Sequence, residues 1–151
     1  MTEPDEVHGA VTALLEEHDS LLLSSCSQDR PWGAGAYFAP LDPFRLTLIL
    51  ETGGTTLRNI RANPRVAVVI ASGDPFRPFL QAGATATVRD DDGRQETFAA
   101  LRAAVPQIEP LLSMPVEAME LTVEKWRVTD IVNGWLPGKE FTPGMLATLP
   151  G

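Results

Sequence analysis

The chain has 151 residues, 44% hydrophobic and 21% charged, with twelve basic and twenty acidic side chains and a formal charge of −8. That length sets one domain with one core, and the composition is neither that of a disordered chain nor of a membrane bundle. The acidic excess repels phosphate backbones and anionic lipid, so neither nucleic acid nor membrane is an expected partner.

The first residues, MTEPDEVHGA, are acidic, and no apolar run approaches the roughly 18 to 20 residues a spanning helix needs. A single cysteine, Cys26, excludes an intrachain disulfide and points to a reducing, cytoplasmic setting. A helix is predicted over about residues 5–18, because Val7, Val11, Leu14 and Leu15 share one stripe, with Thr2 and Pro4 as start signals. LLLSSC and WGAGAYF flank Ser27-Gln28-Asp29-Arg30 as a hairpin would, and Pro40-Leu41-Asp42-Pro43 turns the chain into a third strand, RLTLILE. TLRNIRANP supplies two helical turns before Pro64; RVAVVIAS and LQAGATATVR then read as strands on either side of the loop GDPFRPF. Asp90-Asp91-Asp92-Gly93 reads as a solvated hairpin tip, and RQETFAALRAAV as a surface helix ended by Pro106. From Val116 to Val128, Met119, Leu121 and Val123 alternate with Glu120, Thr122 and Glu124, the clearest strand pattern in the chain. The tail beyond Thr129, broken by Pro137-Gly138 and Pro143-Gly144, is expected to be irregular. Six strands in meander order with peripheral helices indicate a mainly β (α+β) domain spanning 1–151, with the barrel at about 21–133.

Motif chemistry is absent: the sequence has no phosphate-binding glycine loop with its lysine, no dinucleotide fingerprint, no Cys-x-x-Cys and no nucleophile elbow. His8 and His18 fall on separate faces of one helix and cannot share a metal, so no metal site is expected. Cys26 reads as an inert thiol. One segment reverses the chain's electrostatics: from Thr52 to Gly73 there is no acid, while Arg58, Arg61 and Arg65 cluster there. Gly53, Gly54, Thr55 and Thr56 open the short helix, so free backbone N–H groups, two hydroxyls and an arginine can converge on an anion. The competing reading is a plain Gly-Gly turn with arginines solvated or paired with Glu51 and Asp74. Carrying the alternation past Val123 would turn Trp126 away from the core, so either a bulge shifts the phase or the strand has two apolar faces. A large aromatic outside a barrel marks a subunit interface or a ligand wall.

The succession DRPWGAGAYFAP, RLTLILETGGTTLRNIRANPRVAVVI, LQAGATATV, a helix and LTVEKWRVTD resembles the pyridoxamine 5′-phosphate oxidase-like, FMN-binding split-barrel superfamily over roughly residues 5–135. The block T-x-R-N-I-R-x-N-P-R-V-A-V-V carries most of the resemblance. It implies a six-stranded antiparallel split β-barrel forming a homodimer, with FMN between subunits, or the deazaflavin F420 or haem in some branches. It also implies a flavin-dependent oxidoreductase acting on a small molecule, with an F420-dependent reductase or a non-catalytic ligand-binding protein as alternatives. By position, Gly35, Ala36 and Tyr37 would face the isoalloxazine edge, Leu50 and Glu51 the ribityl chain, and Thr55, Thr56 and Arg58 the phosphate, while Trp126 would close the partner's site; no catalytic residue is implied. The chain departs from the oxidases where their Arg-Lys phosphate pair becomes Thr55-Thr56 and a glutamine becomes Pro78, and their C-terminal substrate-binding Arg and His are missing.

Overall fold

The computed structural model describes residues 2–150. Helix α1 (Glu3–Glu17) begins where the sequence supplies a cap: the Thr2 hydroxyl accepts from the Asp5 N–H and the Asp5 carboxylate accepts from the Thr2 N–H. Its buried stripe is Val7, Val11, Leu14 and Leu15, as the periodicity requires. Strands β1 (Ser20–Ser27) and β2 (Arg30–Asp42) form a hairpin whose turn residues Gln28 and Asp29 both have positive φ, 54° and 60°. Two left-handed residues give the turn a twist that matches the flanking strands. The meander continues through β3 (Arg45–Glu51), then helix α2 (Thr55–Ala62), β4 (Arg65–Ile70) and β5 (Phe79–Arg89). Helices α3 (Asp92–Ala104) and α4 (Glu109–Leu112) precede β6 (Val116–Asp130), β7 (Trp135–Phe141) and α5 (Pro143–Thr148).

All strand pairs are antiparallel, in the order β3-β2-β1-β4-β5-β6-β7, and pairing of β3 with β6 closes the first six into a barrel. Leu23, Leu46, Leu48, Ile70 and Leu80 fill its interior, and α1 and α2 bring Val11, Leu57 and Ile60 to the same core. A smaller apolar cluster lies on the outer face, where Leu101 and Val105 of α3 and its end, with Ile108 and Leu112, cover Ala39 and Ile49.

The structure corrects four local expectations. The turn after β2 comes later than Pro40: the strand runs to Asp42 with a register shift, and the Asp42 carboxylate accepts from the Phe44 N–H at 2.8 Å. Asp90-Asp91-Asp92-Gly93 is a strand-to-helix junction instead of a hairpin tip, with Asp92 and Gly93 inside α3. The tail is ordered, since β7 pairs with the end of β6 and sends Phe141 into the core, stacked between His8 and Phe44 at 5.3 and 5.4 Å. An edge strand needs only one side of its ladder, so it tolerates the Pro137-Gly138 pair that reads as a break in sequence. Finally, Trp126 lies inside the barrel with no exposed surface. The register shift between Gly83 and Ala84 opposes Lys125 and Val123, leaving Glu124 as an extra residue, so Val123 and Trp126 both face inward. The bulge also marks where β6 changes neighbours: Val116–Thr122 pair with β3, and Trp126–Asp130 pair with β7.

A polar network ties α3 to this seam. Thr47 donates to the Met119 carbonyl at 2.8 Å and shares a hydrogen bond with Thr97, to which Arg89 also donates. Arg89 pairs with Glu96 and lies 3.6 Å from Glu120, which is held by Arg45 at 2.7 Å. The hydrogen bond from Arg45, with the charge of that guanidinium and of Arg89, holds the Glu120 carboxyl below its ordinary pKa of 4.5 against the opposing effect of burial. A depressed folded-state value means that Glu120 contributes stability above its unfolded pKa and loses it as pH falls through the folded one. Glu120→Gln is therefore expected to be less stable than the parent at neutral pH, with the gap between their urea midpoints closing in acid. A gap independent of pH would contradict this assignment.

Candidate functional site

Beside the patch that α3 and its end cover, the outer faces of β1, β2 and β4 carry Ser20, Leu22, Gly35 and Val69. Leu22 pairs with Gly35 on one side and Val69 on the other, and Ser20 pairs with Tyr37. Because Gly35 offers no side chain, a cavity of about 850 Å³ opens over these strands. Its floor includes Leu22, Gly35, Tyr37, Ile49 and Val69; its rim is Thr52-Gly53, the loop Ala71–Gly73, and Leu111 with Met114–Val116 after α4. The lining is mostly apolar, with the hydroxyls of Ser20, Tyr37, Thr52 and Ser72, and Glu51 is its one charged side chain among the described residues.

The rim leads straight into α2. Gly53 lines the cavity and Gly54 is the N-cap, which has no side chain to satisfy the first-turn N–H groups. Arg58 Nη2 donates to Thr55 Oγ1 at 3.0 Å, placing a guanidinium beside that helix start. Arg58, Arg61 and Arg65 form no ion pair among the described residues, so the pairing with Glu51 and Asp74 is not made. The rest of the TLRNIRANPR block is structural. Leu57 and Ile60 are buried, Asn59 Nδ2 donates to Ser25 Oγ at 3.2 Å, and Asn63 Nδ2 donates to the Cys26 carbonyl at 3.1 Å. These contacts fix α2 against the end of β1, and so fix where Thr55 and Arg58 stand.

Of the nine residues singled out in the sequence, Gly35, Ala36, Tyr37 and Glu51 line the cavity. Thr55 and Arg58 stand just beyond its rim, while Thr56 is buried beneath them. Leu50 belongs to the barrel interior, and Trp126 donates Nε1–H to the Pro43 carbonyl at 2.6 Å from inside the core. Trp126 is therefore enclosed by its own barrel, with no surface exposed on the single chain. Neither histidine is at the cavity: His8 stacks on Phe141 and His18 is the C-cap of α1. Cys26 is half-buried at the far end of β1. The Leu111–Val116 wall includes the end of a four-residue helix too short to leave a periodic signal in the sequence, and its surface clue is Met114, 54% exposed. No group of three or more His, Cys, Asp or Glu able to hold a metal occurs among the described residues, and no described helix is long and apolar enough to cross a membrane.

A donor set of this kind suits a phosphate or another anion: backbone N–H groups at a helix start, a hydroxyl, and an arginine without an acid partner. An apolar slot beside it suits a flat ring system, and its size falls within the roughly 300 to 1,000 Å³ of small-molecule sites. The phosphate and ring of FMN would thus find complementary surroundings, with the Glu51 carboxylate as the one feature that opposes an anion there.

The family model described as pyridoxamine 5′-phosphate oxidase matches residues 7–130. No curated sequence matches the chain. Among solved structures, the chain is similar to a haem-binding protein from Mycobacterium smegmatis (TM-score 0.74, 16% identity, 91% of this chain and 60% of that one). It therefore spans less than two thirds of that protein's length. It is also similar to a haem storage protein from Vibrio cholerae (TM-score 0.64, 20% identity, 81% and 89% covered). A third is a Clostridium acetobutylicum protein of the pyridoxinephosphate oxidase family, related to general stress protein 26 of B. subtilis (TM-score 0.73, 15% identity, 95% and 98% covered).

Proposed function

Because the chain belongs to the pyridoxamine 5′-phosphate oxidase family, we propose that it is a homodimeric flavin-binding protein that holds FMN in the cavity over β1 to β4 and uses it on a small molecule. The observation that carries this reading is the continuity of the apolar cavity, through Thr52-Gly53, with the donor cluster of Thr55 and Arg58. Gly35 and Ala36 leave room for the ring system against the strand backbone, and Tyr37 and Val69 flank it. Arg58 and the first-turn N–H groups of α2 take the phosphate. When bound, FMN supplies two-electron hydride chemistry, so the chain needs only to bind, orient and shield it, in keeping with the absence of a catalytic dyad or triad motif.

A second copy completes the site in this reading. Gly33, Ser24, Ala67 and Gly83 pair across four adjacent strands and form a row of small, exposed residues next to Leu22, which is 60% exposed. Such a flat face admits close approach of another sheet. In sedimentation velocity with FMN present, the flavin's visible absorbance is expected to travel with a dimer boundary. A monomer boundary, or absorbance that stays with free flavin, would contradict the reading.

The deazaflavin F420 shares the ring shape and is the first alternative cofactor; a chain that holds either one without turnover would be a non-catalytic binding protein. A haem reading draws on the similar haem-binding and haem storage structures. Among the described residues of one chain, the lining offers a haem iron Tyr37, Met114 and Glu51 but no histidine.

A further inference from the structure

Glu51 ends β3 and, among the described residues, is the only charged side chain that lines the cavity. A Cβ built on Gly54 would lie 2.5 Å from both Glu51 Cγ and Glu51 Oε1, so the carboxylate folds over the N-cap of α2, and glycine at position 54 is what makes room for it. There it sits at the positive end of the helix, where a negative charge is favoured. Glu51 is exposed and its side chain makes no hydrogen bond or ion pair among the described residues, so nothing else fixes it in place. The negative end of any bound cofactor must share this spot with Glu51 or displace it.

We propose that Glu51 is a charge-selecting residue of the cavity, one that disfavours a phosphomonoester at the start of α2 relative to a neutral or singly charged group. The inference rests on the flavin reading and deepens it. A phosphomonoester carries about −1.5 to −2 at neutral pH, and a carboxylate within a few ångströms raises its free energy in proportion to that charge. A neutral polyol end meets no such penalty and can donate hydrogen bonds to the same oxygens. Arg58, beside Thr55, is the compensating charge, and Arg61 and Arg65 are the other unpaired cations of the segment. Glu51 therefore weakens, without abolishing, the hold that Arg58 and the first-turn N–H groups of α2 have on the FMN phosphate.

The test compares FMN with riboflavin, which has the same ring and ribityl chain but no phosphate, by quenching of flavin fluorescence against the parent and Glu51→Gln. The glutamine keeps the shape and removes the charge. The ratio of the FMN to the riboflavin dissociation constant is expected to fall about tenfold in the variant. An unchanged ratio, with both flavins saturating both proteins, would overturn the role of Glu51 and leave flavin binding standing. Equal tightening toward both flavins would likewise overturn it, by placing the effect at the ring or ribityl chain. Failure of either flavin to saturate either protein would remove the flavin reading and this inference together.

Discussion

Trp126→Ala is expected to destabilise the protein by about 3–5 kcal/mol, the range for deleting a large buried aromatic, and to do so whether or not flavin is present. Trp126 has no exposed surface and is among the largest side chains in the barrel interior. Its Nε1–H bonds to the Pro43 carbonyl at 2.6 Å, and the Val123 N–H bonds to the Phe44 carbonyl at 2.8 Å, so the two residues tie the β2–β3 turn to β6 on either side of the bulge. Alanine would leave a cavity at that junction and an unpartnered carbonyl. With typical domain stabilities of about 5–15 kcal/mol, such a loss consumes much of the margin, and urea midpoints measure it. Trp126→Phe keeps most of the packing and should cost about 1 kcal/mol through the lost hydrogen bond. If instead Trp126→Ala folded with parental stability and lost only cofactor, the tryptophan would have to act outside the barrel, against its placement here.

Gly35→Trp is the opposite kind of change. A Cβ at position 35 meets no atom within 4 Å, so the fold accepts a side chain there, and a strand gains β-propensity when glycine is replaced by an aromatic. The space the new ring would fill is the cavity itself, since Gly35 pairs with Leu22 at its floor. Overfilling a shaped site costs roughly 1–3 kcal/mol, so FMN affinity should drop by about tenfold to a hundredfold. The thermal midpoint of the protein alone should stay the same or rise. A variant that binds FMN as the parent does would place the flavin elsewhere, and one that fails to fold would contradict the open space at Gly35.

The pair also shows what the sequence made legible. Strict alternation from Met119 to Val123 located β6, and the heptad-like stripe Val7, Val11, Leu14, Leu15 located α1, because one face of each is buried and the period follows. Alternation alone could not say which way Trp126 points: one extra residue, Glu124, reverses every side chain beyond it, and the bulge is set by pairing with Gly83 and Ala84 some forty positions away. Strand β7 was hidden for a related reason. Its Pro137-Gly138 pair denies it a local pattern, and its place comes from the long-range pairing of Trp126 with Phe141. At the candidate site, the small residues Gly35 and Ala36 line the cavity, and Arg58, in the acid-free stretch, stands beside the helix start at its rim. Leu50 and Glu51 are adjacent in sequence but face opposite sides of β3, so only Glu51 reaches the cavity, a distinction that needs the strand's phase relative to the barrel. The wall from Leu111 to Val116 is assembled by tertiary packing of a short helix and leaves no periodic trace.

The central claim, a flavin-type cofactor in the cavity over β1 to β4, is tested most directly by visible absorption of the purified protein during separate titrations with FMN, F420 and haemin. The account predicts a saturable shift of the flavin or deazaflavin band, at a stoichiometry of one per chain, that is lost in Gly35→Trp. A Soret band with haemin and no saturation by either flavin would contradict it.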